Sequence, residues 1–154
     1  MGVMIDGKWH MQSIADLSDG GAFRRSETSF RNWVTPDGEF PAEAGRYHLY
    51  VSFACPWAHR TLIMRMLKGL EDKISISVVN WFMGEDGWSF DDGDSVVGDP
   101  VFAAEHLSDV YAGAKHDYTG RVTVPVLFDT ATRQIVSNES AEIIRMFNSA
   151  FDGL

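Results

Sequence analysis

The sequence has few of the features that would place it in several broad classes of protein. It contains one cysteine, Cys55, in 154 residues, which excludes an internal disulfide framework and a cysteine-rich zinc site. No apolar run approaches the ~18 residues that a membrane-spanning helix needs. The first residues, MGVMIDGKWHMQ, lack the basic-then-apolar order of a secretory signal. We therefore expect a cytoplasmic protein without a membrane partner.

Positive charge is also scarce. Lys and Arg number 13 against 22 Asp and Glu, which gives a formal net charge of −9. Such a surface repels a polyphosphate, so we expect no nucleic-acid partner. For the same reason, any site for a small anion must carry its own positive groups. Hydrophobic residues make up 45% of the chain, which is enough to build the core of one domain.

What the sequence does contain is a strand that runs directly into a helix. The stretch HLYVSFACPWAHR (48–60) begins as an apolar run typical of a buried strand. Apolar residues then recur at helical spacing from Trp57 to Leu70. Pro56 suits the first helical position, because the N–H of that position has no partner within the helix. Cys55 is thus expected at a helix N-terminus, where orphan N–H groups and the helix dipole favour a thiolate.

Cys55 is accordingly a candidate nucleophile. The sequence CPWA (55–58) resembles a thioredoxin-type redox motif in which the second cysteine has become Ala58. A lone thiolate cannot resolve its own mixed disulfide, so the expected partner is a small external thiol such as glutathione. The alternative is that Cys55 is a buried hydrophobic side chain. A metal site with His59 is not expected, since the other histidines lack ligand spacing.

The remaining pattern predicts an α/β, thioredoxin-like fold with the element order βαβ, insertion, α, ββα. Residues 1–45 hold turn signals and isolated aromatics, and we expect an irregular N-terminal extension packed on a domain spanning 46–154. Two neighbouring strands in the second half predict an antiparallel hairpin. Beyond the first strand and helix, the predicted elements are a strand at Ile74–Val79, an acidic insertion at Asn80–Pro100, a helix at Val101–Tyr118, strands at Val122–Phe128 and Ile135–Val136, and a helix at Glu139–Ala150 capped by Ser137 or Asn138.

Two short segments in the second half are candidate ligand sites. A cis bond between Val124 and Pro125 would turn the Val124 backbone towards an extended, peptide-like ligand, and the thioredoxin-like element order favours that bond. At the start of the last helix, Ser140 and its neighbouring N–H groups can hold a carboxylate, while Glu139 can meet the ammonium end of the same zwitterion. The alternative reading of Glu139 is ordinary helix capping.

Two further residues can complete such a site. Arg121 precedes the Val124 turn and can supply the local positive charge that the acidic surface lacks. Trp88 lies in the insertion and can form one wall through its ring and indole N–H. The alternatives are a surface salt bridge for Arg121 and a core anchor for Trp88.

Four segments together resemble one family. They are SFACPWAHR, GWSF, GRVTVPVLFD and SNESAEI, and in this order they are similar to the N-terminal domain of glutathionyl-hydroquinone reductases, the xi-class, omega-like glutathione transferases. The resemblance covers roughly Arg46 to Phe151. It implies a thioredoxin-like fold, glutathione as co-substrate and Cys55 as catalytic residue. The glutathione contacts that it implies are Trp88, Arg121, Val124, Glu139 and Ser140.

The resemblance also implies a two-step reaction. Cys55 attacks the sulfur of a glutathionyl-hydroquinone and becomes disulfide-linked to glutathione, and a second glutathione then regenerates the thiol. Members of this family continue into an all-helical domain that builds most of the hydroquinone pocket and much of the homodimer contact, whereas this chain ends at Leu154. An omega-like thioltransferase acting on mixed disulfides and a non-catalytic glutathione-binding domain remain the alternative functions.

Overall fold

The computed structural model describes residues 2–11, 18–19, 22–23 and 27–154. Strands and helices alternate in the second half of the chain. They are the strands β1 (Gly2–Ile5), β2 (Lys8–Met11), β3 (Ser18–Asp19), β4 (Ala22–Phe23), β5 (Val34–Thr35), β6 (Phe40–Pro41), β7 (Tyr47–Val51), β8 (Ser75–Val78), β9 (Gly120–Arg121), β10 (Val126–Asp129) and β11 (Gln134–Ser137), and the helices α1 (Pro56–Leu67), α2 (Leu107–Ala114) and α3 (Ser140–Ser149).

The core is a four-stranded mixed sheet in the order β11-β10-β7-β8. Strands β7 and β8 are parallel, with Leu49 opposite Ile76, and β10 is antiparallel to both β7 and β11. All five residues of β7 are buried, as the continuous apolar run of an interior strand requires. The predicted βαβ unit, the antiparallel hairpin and the α/β thioredoxin-like fold are confirmed.

The helices have different bounds from those that apolar spacing predicts. Helix α1 ends at Leu67 rather than Leu70, because Gly69 takes a positive φ of 62° and breaks the helical path. The predicted helix 101–118 is shortened to α2. Asp99 accepts hydrogen bonds from three backbone N–H groups ahead of α2 and thereby holds that stretch in turns. Helix α2 begins only after His106, whose N–H donates to Asp109 Oδ2 at 2.9 Å.

The N-terminal segment is more regular than the sequence pattern indicated. Strands β1 and β2 form an antiparallel hairpin, and β1 also pairs with β9, where Val3 lies opposite Arg121. The turn is Asp6-Gly7, and both residues have a positive φ, as two-residue hairpin turns require. This dipeptide was the signal that could have predicted the hairpin. Trp9 Nε1 donates to the Glu85 carbonyl at 3.1 Å, which ties the hairpin to the acidic insertion.

Buried polar groups fix the amino-terminal end of β7. Asp129 is fully buried and accepts from Arg46 Nε at 2.9 Å and Nη2 at 2.8 Å. Burial raises the pKa of Asp129, but hydrogen bonds from Arg46 and Thr132 outweigh it, so the pKa lies below its usual value. His48 is 1% exposed, with ring nitrogens 2.6 Å from Ser75 Oγ and 2.7 Å from Ser77 Oγ.

Candidate functional site

Cys55 lies at the N-cap of α1, as predicted from the sequence, and Pro56 is the first helical residue. Its N–H donates to the Ser52 carbonyl at 3.2 Å, and its carbonyl accepts from the His59 N–H at 3.0 Å. The side chain is partly exposed. Its thiol donates to the Val124 carbonyl, with the sulfur and oxygen 3.7 Å apart. The sulfur is therefore held at a helix N-terminus, facing the turn between β9 and β10.

That turn contains the predicted cis peptide bond between Val124 and Pro125. The strand predicted over 122–128 is interrupted there, because proline cannot donate to a ladder. Only Val126–Asp129 joins the four-stranded sheet. Within the described part of the chain, the Val124 N–H donates no hydrogen bond. Val124 can therefore offer this N–H to the backbone of a ligand.

The predicted site residues surround two adjoining cavities. The larger, of about 320 Å³, is bordered by Glu139 and Ser140. The smaller, of about 130 Å³, is bordered by Cys55 and Trp88. The structure thus brings all six predicted residues together around one site. Four residues line both cavities, and they are Trp57, Arg121, Thr123 and Val124.

Glu139 is the N-cap of α3. Its Oε1 accepts from the Ala141 N–H at 3.2 Å, so the capping alternative is borne out even though the side chain also borders the larger cavity. The prediction of Ser137 or Asn138 as the cap is wrong, because both side chains are used elsewhere. Ser137 Oγ accepts from the Glu139 N–H, and Asn138 Nδ2 donates to the Tyr111 hydroxyl.

Arg121 is positioned by the N-terminal hairpin and by Tyr118. It pairs with Val3 in the β1–β9 ladder, and its carbonyl accepts from the Tyr118 hydroxyl at 2.6 Å. Burial raises the pKa of Tyr118 to about 12, so this hydroxyl stays protonated and continues to donate at neutral pH.

Trp88 belongs to a loop that packs against the same hairpin. Its carbonyl accepts from the Leu107 N–H at 2.9 Å, at the start of α2. The preceding residue, Gly87, has a φ of +81°, and a Cβ there would lie 2.8 Å from the Trp9 ring. Trp9 also lines the cavity beside Cys55. Sequence reasoning missed Trp9, because its role depends on a hairpin that folds back from far away in the chain.

Residues 27–29 and 31 form another border of the larger cavity, which the sequence analysis missed. Thr28 Oγ1 donates to Glu139 Oε2 at 3.4 Å. Arg31 forms a two-pronged ion pair with Glu142, which lowers the pKa of the Glu142 carboxyl. The segment therefore contacts the first turn of α3. No local periodicity marks these residues, and only tertiary packing brings them to the site.

Arg60 is a further missed residue in the larger cavity. It lies on α1, with Nε and Nη2 at 3.0 and 2.6 Å from Ser140 Oγ. The three-residue spacing between Trp57 and Arg60 could have predicted that they are neighbours on the helix. Their contact is a guanidinium 5.1 Å from the centre of the indole ring. The contact between Arg60 and Ser140 depends on how α1 packs on α3.

The described residues hold neither a metal-binding cluster nor a membrane-spanning helix. No group of three or more His, Cys, Asp or Glu side chains is arranged to hold a metal ion in residues 2–11 and 27–154. Among the helices that the structure describes, none combines the length and apolarity needed to span a membrane.

Comparison with known proteins identifies the family. Residues 54–150 match the family "Glutathione S-transferase, N-terminal domain". The chain is 58% identical to glutathionyl-hydroquinone reductase YqjG of Escherichia coli, covering 100% of this chain and 50% of that protein. It is 54% identical to an omega-like glutathione S-transferase of Schizosaccharomyces pombe, covering 88% of this chain and 44% of that protein.

Solved structures agree with the sequence comparison. A glutathione-bound structure of Escherichia coli YqjG superposes with a TM-score of 0.84 at 54% identity, over 98% of this chain and 46% of that one. A xi-class glutathione transferase from Natrialba magadii gives a TM-score of 0.87 at 51% identity, over 99% and 46%. The chain spans about half the length of the curated relatives it matches. The predicted resemblance to glutathionyl-hydroquinone reductases is confirmed, and the chain belongs to the glutathione S-transferase family through that family's N-terminal domain.

Proposed function

We propose that this chain carries the glutathione site and the catalytic thiol of a glutathionyl-hydroquinone reductase. The observation that carries the proposal is the position of Cys55. Its free, partly exposed sulfur lies at a helix N-terminus, 3.7 Å from the Val124 carbonyl and beside a cavity that Trp88 lines. A ligand in that cavity can therefore reach the Cys55 sulfur. The names of the relatives supply the reaction and the substrate class.

Glutathione fits the adjoining cavities by its chemistry. Its γ-glutamyl group is a zwitterion, which suits the Ser140 hydroxyl and the Glu139 carboxylate at the start of α3. Its peptide backbone can accept the N–H of Val124. Trp88 and Arg121 line the cavity beside Cys55 and would contact the rest of the tripeptide. This arrangement directs the sulfur of glutathione towards Cys55.

The chemistry needs one enzyme thiol and two glutathione units. The Cys55 thiolate attacks the sulfur of a glutathionyl-hydroquinone, the carbon–sulfur bond breaks, and the ring carbon takes a proton. This reduces the ring and leaves Cys55 disulfide-linked to glutathione. A second glutathione thiolate attacks that disulfide, which releases glutathione disulfide and regenerates Cys55. Cys55 is regenerated, so both electrons that reduce the ring come from the two glutathione sulfurs, which leave as glutathione disulfide.

The second candidate is an omega-like thioltransferase that acts on mixed disulfides. It uses the same thiol, and the Schizosaccharomyces pombe relative carries an omega-like name. Rates on a glutathionyl-hydroquinone and on a small glutathionylated disulfide separate the two functions. A reductase should prefer the first substrate, and Cys55→Ser should abolish turnover of both. Full activity in Cys55→Ser would refute both candidates and leave a non-catalytic glutathione-binding domain.

We propose two further properties of the longer protein. A free thiol of this kind fits the cytoplasm, where the glutathione pool keeps cysteines reduced. The homodimer that the sequence resemblance implies would be formed largely by segments outside these 154 residues. Size-exclusion chromatography with light scattering on the longer protein tests the dimer.

A further inference from the structure

Arg60 connects the helix that carries Cys55 to the helix that begins the larger cavity. It lies on α1, and its Nε and Nη2 donate to Ser140 Oγ at 3.0 and 2.6 Å. Its Nη2 is also 4.0 Å from Glu139 Oε1. The guanidinium lies over the ring of Trp57, 5.1 Å from its centre. One side chain of α1 therefore contacts two successive residues at the start of α3.

These hydrogen bonds determine how Ser140 can bind a ligand. A hydroxyl has one hydrogen to donate and two lone pairs that accept. Both contacts from Arg60 are donated to Ser140 Oγ, because a guanidinium has no acceptor. The hydroxyl hydrogen therefore remains available to a partner. Since Ser140 borders the larger cavity, that hydrogen can be offered to an acceptor bound there.

Arg60 also changes the local charge. The chain has a formal net charge of −9, and Glu139 adds a carboxylate at the cavity border. An anionic ligand group would be repelled there unless a cation compensates. Arg60 borders the same cavity close to Glu139. The Trp57 ring restricts the guanidinium through a cation–π contact.

We propose that Arg60 is a positioning residue for the α-carboxylate of the γ-glutamyl group. It orients Ser140 as a hydrogen-bond donor and compensates the charge of Glu139, so the carboxylate binds at the start of α3. The inference rests on the proposed function, because the carboxylate belongs to glutathione. It adds to α1 a second role beyond presenting Cys55.

The experiment is a double-mutant cycle on glutathione affinity. Binding of reduced glutathione is measured by calorimetry in a Cys55→Ser parent, which cannot form a mixed disulfide. Arg60→Met and Ser140→Ala should each weaken binding about tenfold, the order expected for one charge-assisted hydrogen bond. The double variant should be weakened well short of the hundredfold product, since the part of the Arg60 effect that acts through Ser140 is already lost in Ser140→Ala.

Lys68→Met is the matched control. Lys68 is the C-cap residue of α1, and its Nζ donates to the Asn148 carbonyl at 3.0 Å and to Asp152 at 2.5 Å. It therefore connects α1 to the far end of α3, as Arg60 does at the near end. Its replacement removes the same charge, and glutathione affinity should stay within about twofold of the parent.

A second readout distinguishes positioning from a general structural effect. This readout uses a glutathione analogue in which the α-carboxylate of the γ-glutamyl group is replaced by an amide. Arg60→Met and the parent should bind this analogue with equal affinity. If Arg60→Met does not fold, Arg60→Lys replaces it. Lysine keeps the charge but loses the forked geometry, so it should weaken binding of glutathione by about threefold.

Two results overturn the inference. The first is unchanged glutathione affinity in Arg60→Met, or in Arg60→Lys where that replaces it. The second is a double variant whose loss is the product of the single losses. Absence of glutathione binding by the Cys55→Ser parent would instead refute the proposed function, and this inference with it. The outcomes are therefore distinguishable.

Discussion

Lowering the pH from 7 to 5 should destabilise the folded chain through one buried side chain, His48. Its two ring nitrogens are 2.6 and 2.7 Å from the hydroxyls of Ser75 and Ser77. Burial lowers the pKa of His48 to about 4, a shift that Asp99 opposes and Arg65 reinforces. The imidazole is therefore neutral in the folded chain at pH 5. In the unfolded chain its pKa returns to about 6.5.

The sign of the effect follows from proton linkage. Between pH 6.5 and pH 4 the unfolded chain binds a proton at His48 that the folded chain does not, so stability falls as the pH falls. The stability that the neutral, buried His48 imidazole contributes is fully present above pH 6.5. The loss reaches about 3 kcal/mol below pH 4, of which about 2 kcal/mol is lost between pH 7 and pH 5. This is a large fraction of the stability of a typical domain.

The assay is urea unfolding at pH 7, 6 and 5 for the wild type and for His48→Gln. Glutamine can still hydrogen-bond to a serine hydroxyl but does not titrate. The wild type should lose about 2 kcal/mol more than His48→Gln between pH 7 and pH 5. Equal losses in the two proteins would refute the reasoning. If the variant does not fold, an NMR titration of the His48 ring in the wild type gives its pKa directly, and a value near 6.5 would be the contradicting result.

Two further substitutions test the packing around the site and the sheet. Gly87→Ala should lower the free energy of unfolding by about 1–2 kcal/mol, because Gly87 has a positive φ. It should also weaken glutathione binding, because the new Cβ would displace Trp9. Gly84→Ala in the same loop, with open space around it, should change neither thermal unfolding nor glutathione binding. Arg46→Met should cost about 3 kcal/mol in urea unfolding, because it leaves the fully buried carboxylate of Asp129 unpaired. A loss well under 1 kcal/mol would show that water or another donor replaces Arg46.

The sequence predicted the surroundings of Cys55 better than the periphery of the candidate site, for a physical reason. Cys55 and Pro56 lie at a strand–helix junction, and the signals for that junction are local. Four of the six predicted site residues, Cys55, Val124, Glu139 and Ser140, are brought together because the thioredoxin-like topology places the start of α1, the turn at Val124 and the start of α3 near one another. Once that fold is inferred, their proximity follows.

Contacts that depend on tertiary packing could not be predicted in the same way. Arg60 reaches Ser140 only because α1 packs on α3, and Trp9 reaches the site through strand pairing between β1 and β9. The Asp6-Gly7 turn was the one local signal for that hairpin.

Apolar spacing also does not say where an apolar face is buried. Ile63, Met66 and Leu67 recur at helical spacing on α1, yet they are 40%, 57% and 70% exposed. The periodicity predicted the helix correctly, because apolar recurrence every three to four residues is a helical pattern. Other apolar positions of the helix, such as Ala58, form part of the core. Sequence alone cannot separate the two faces.

The central claim is that Cys55 is a working monothiol site for glutathione. The most direct measurement is the intact mass of the chain after incubation with glutathione disulfide. We expect one glutathione adduct on the wild type, its removal by reduced glutathione, and no adduct on Cys55→Ser. A wild-type chain that remains folded and unmodified would contradict the account, since the thiol would then be no more than a partly buried structural side chain.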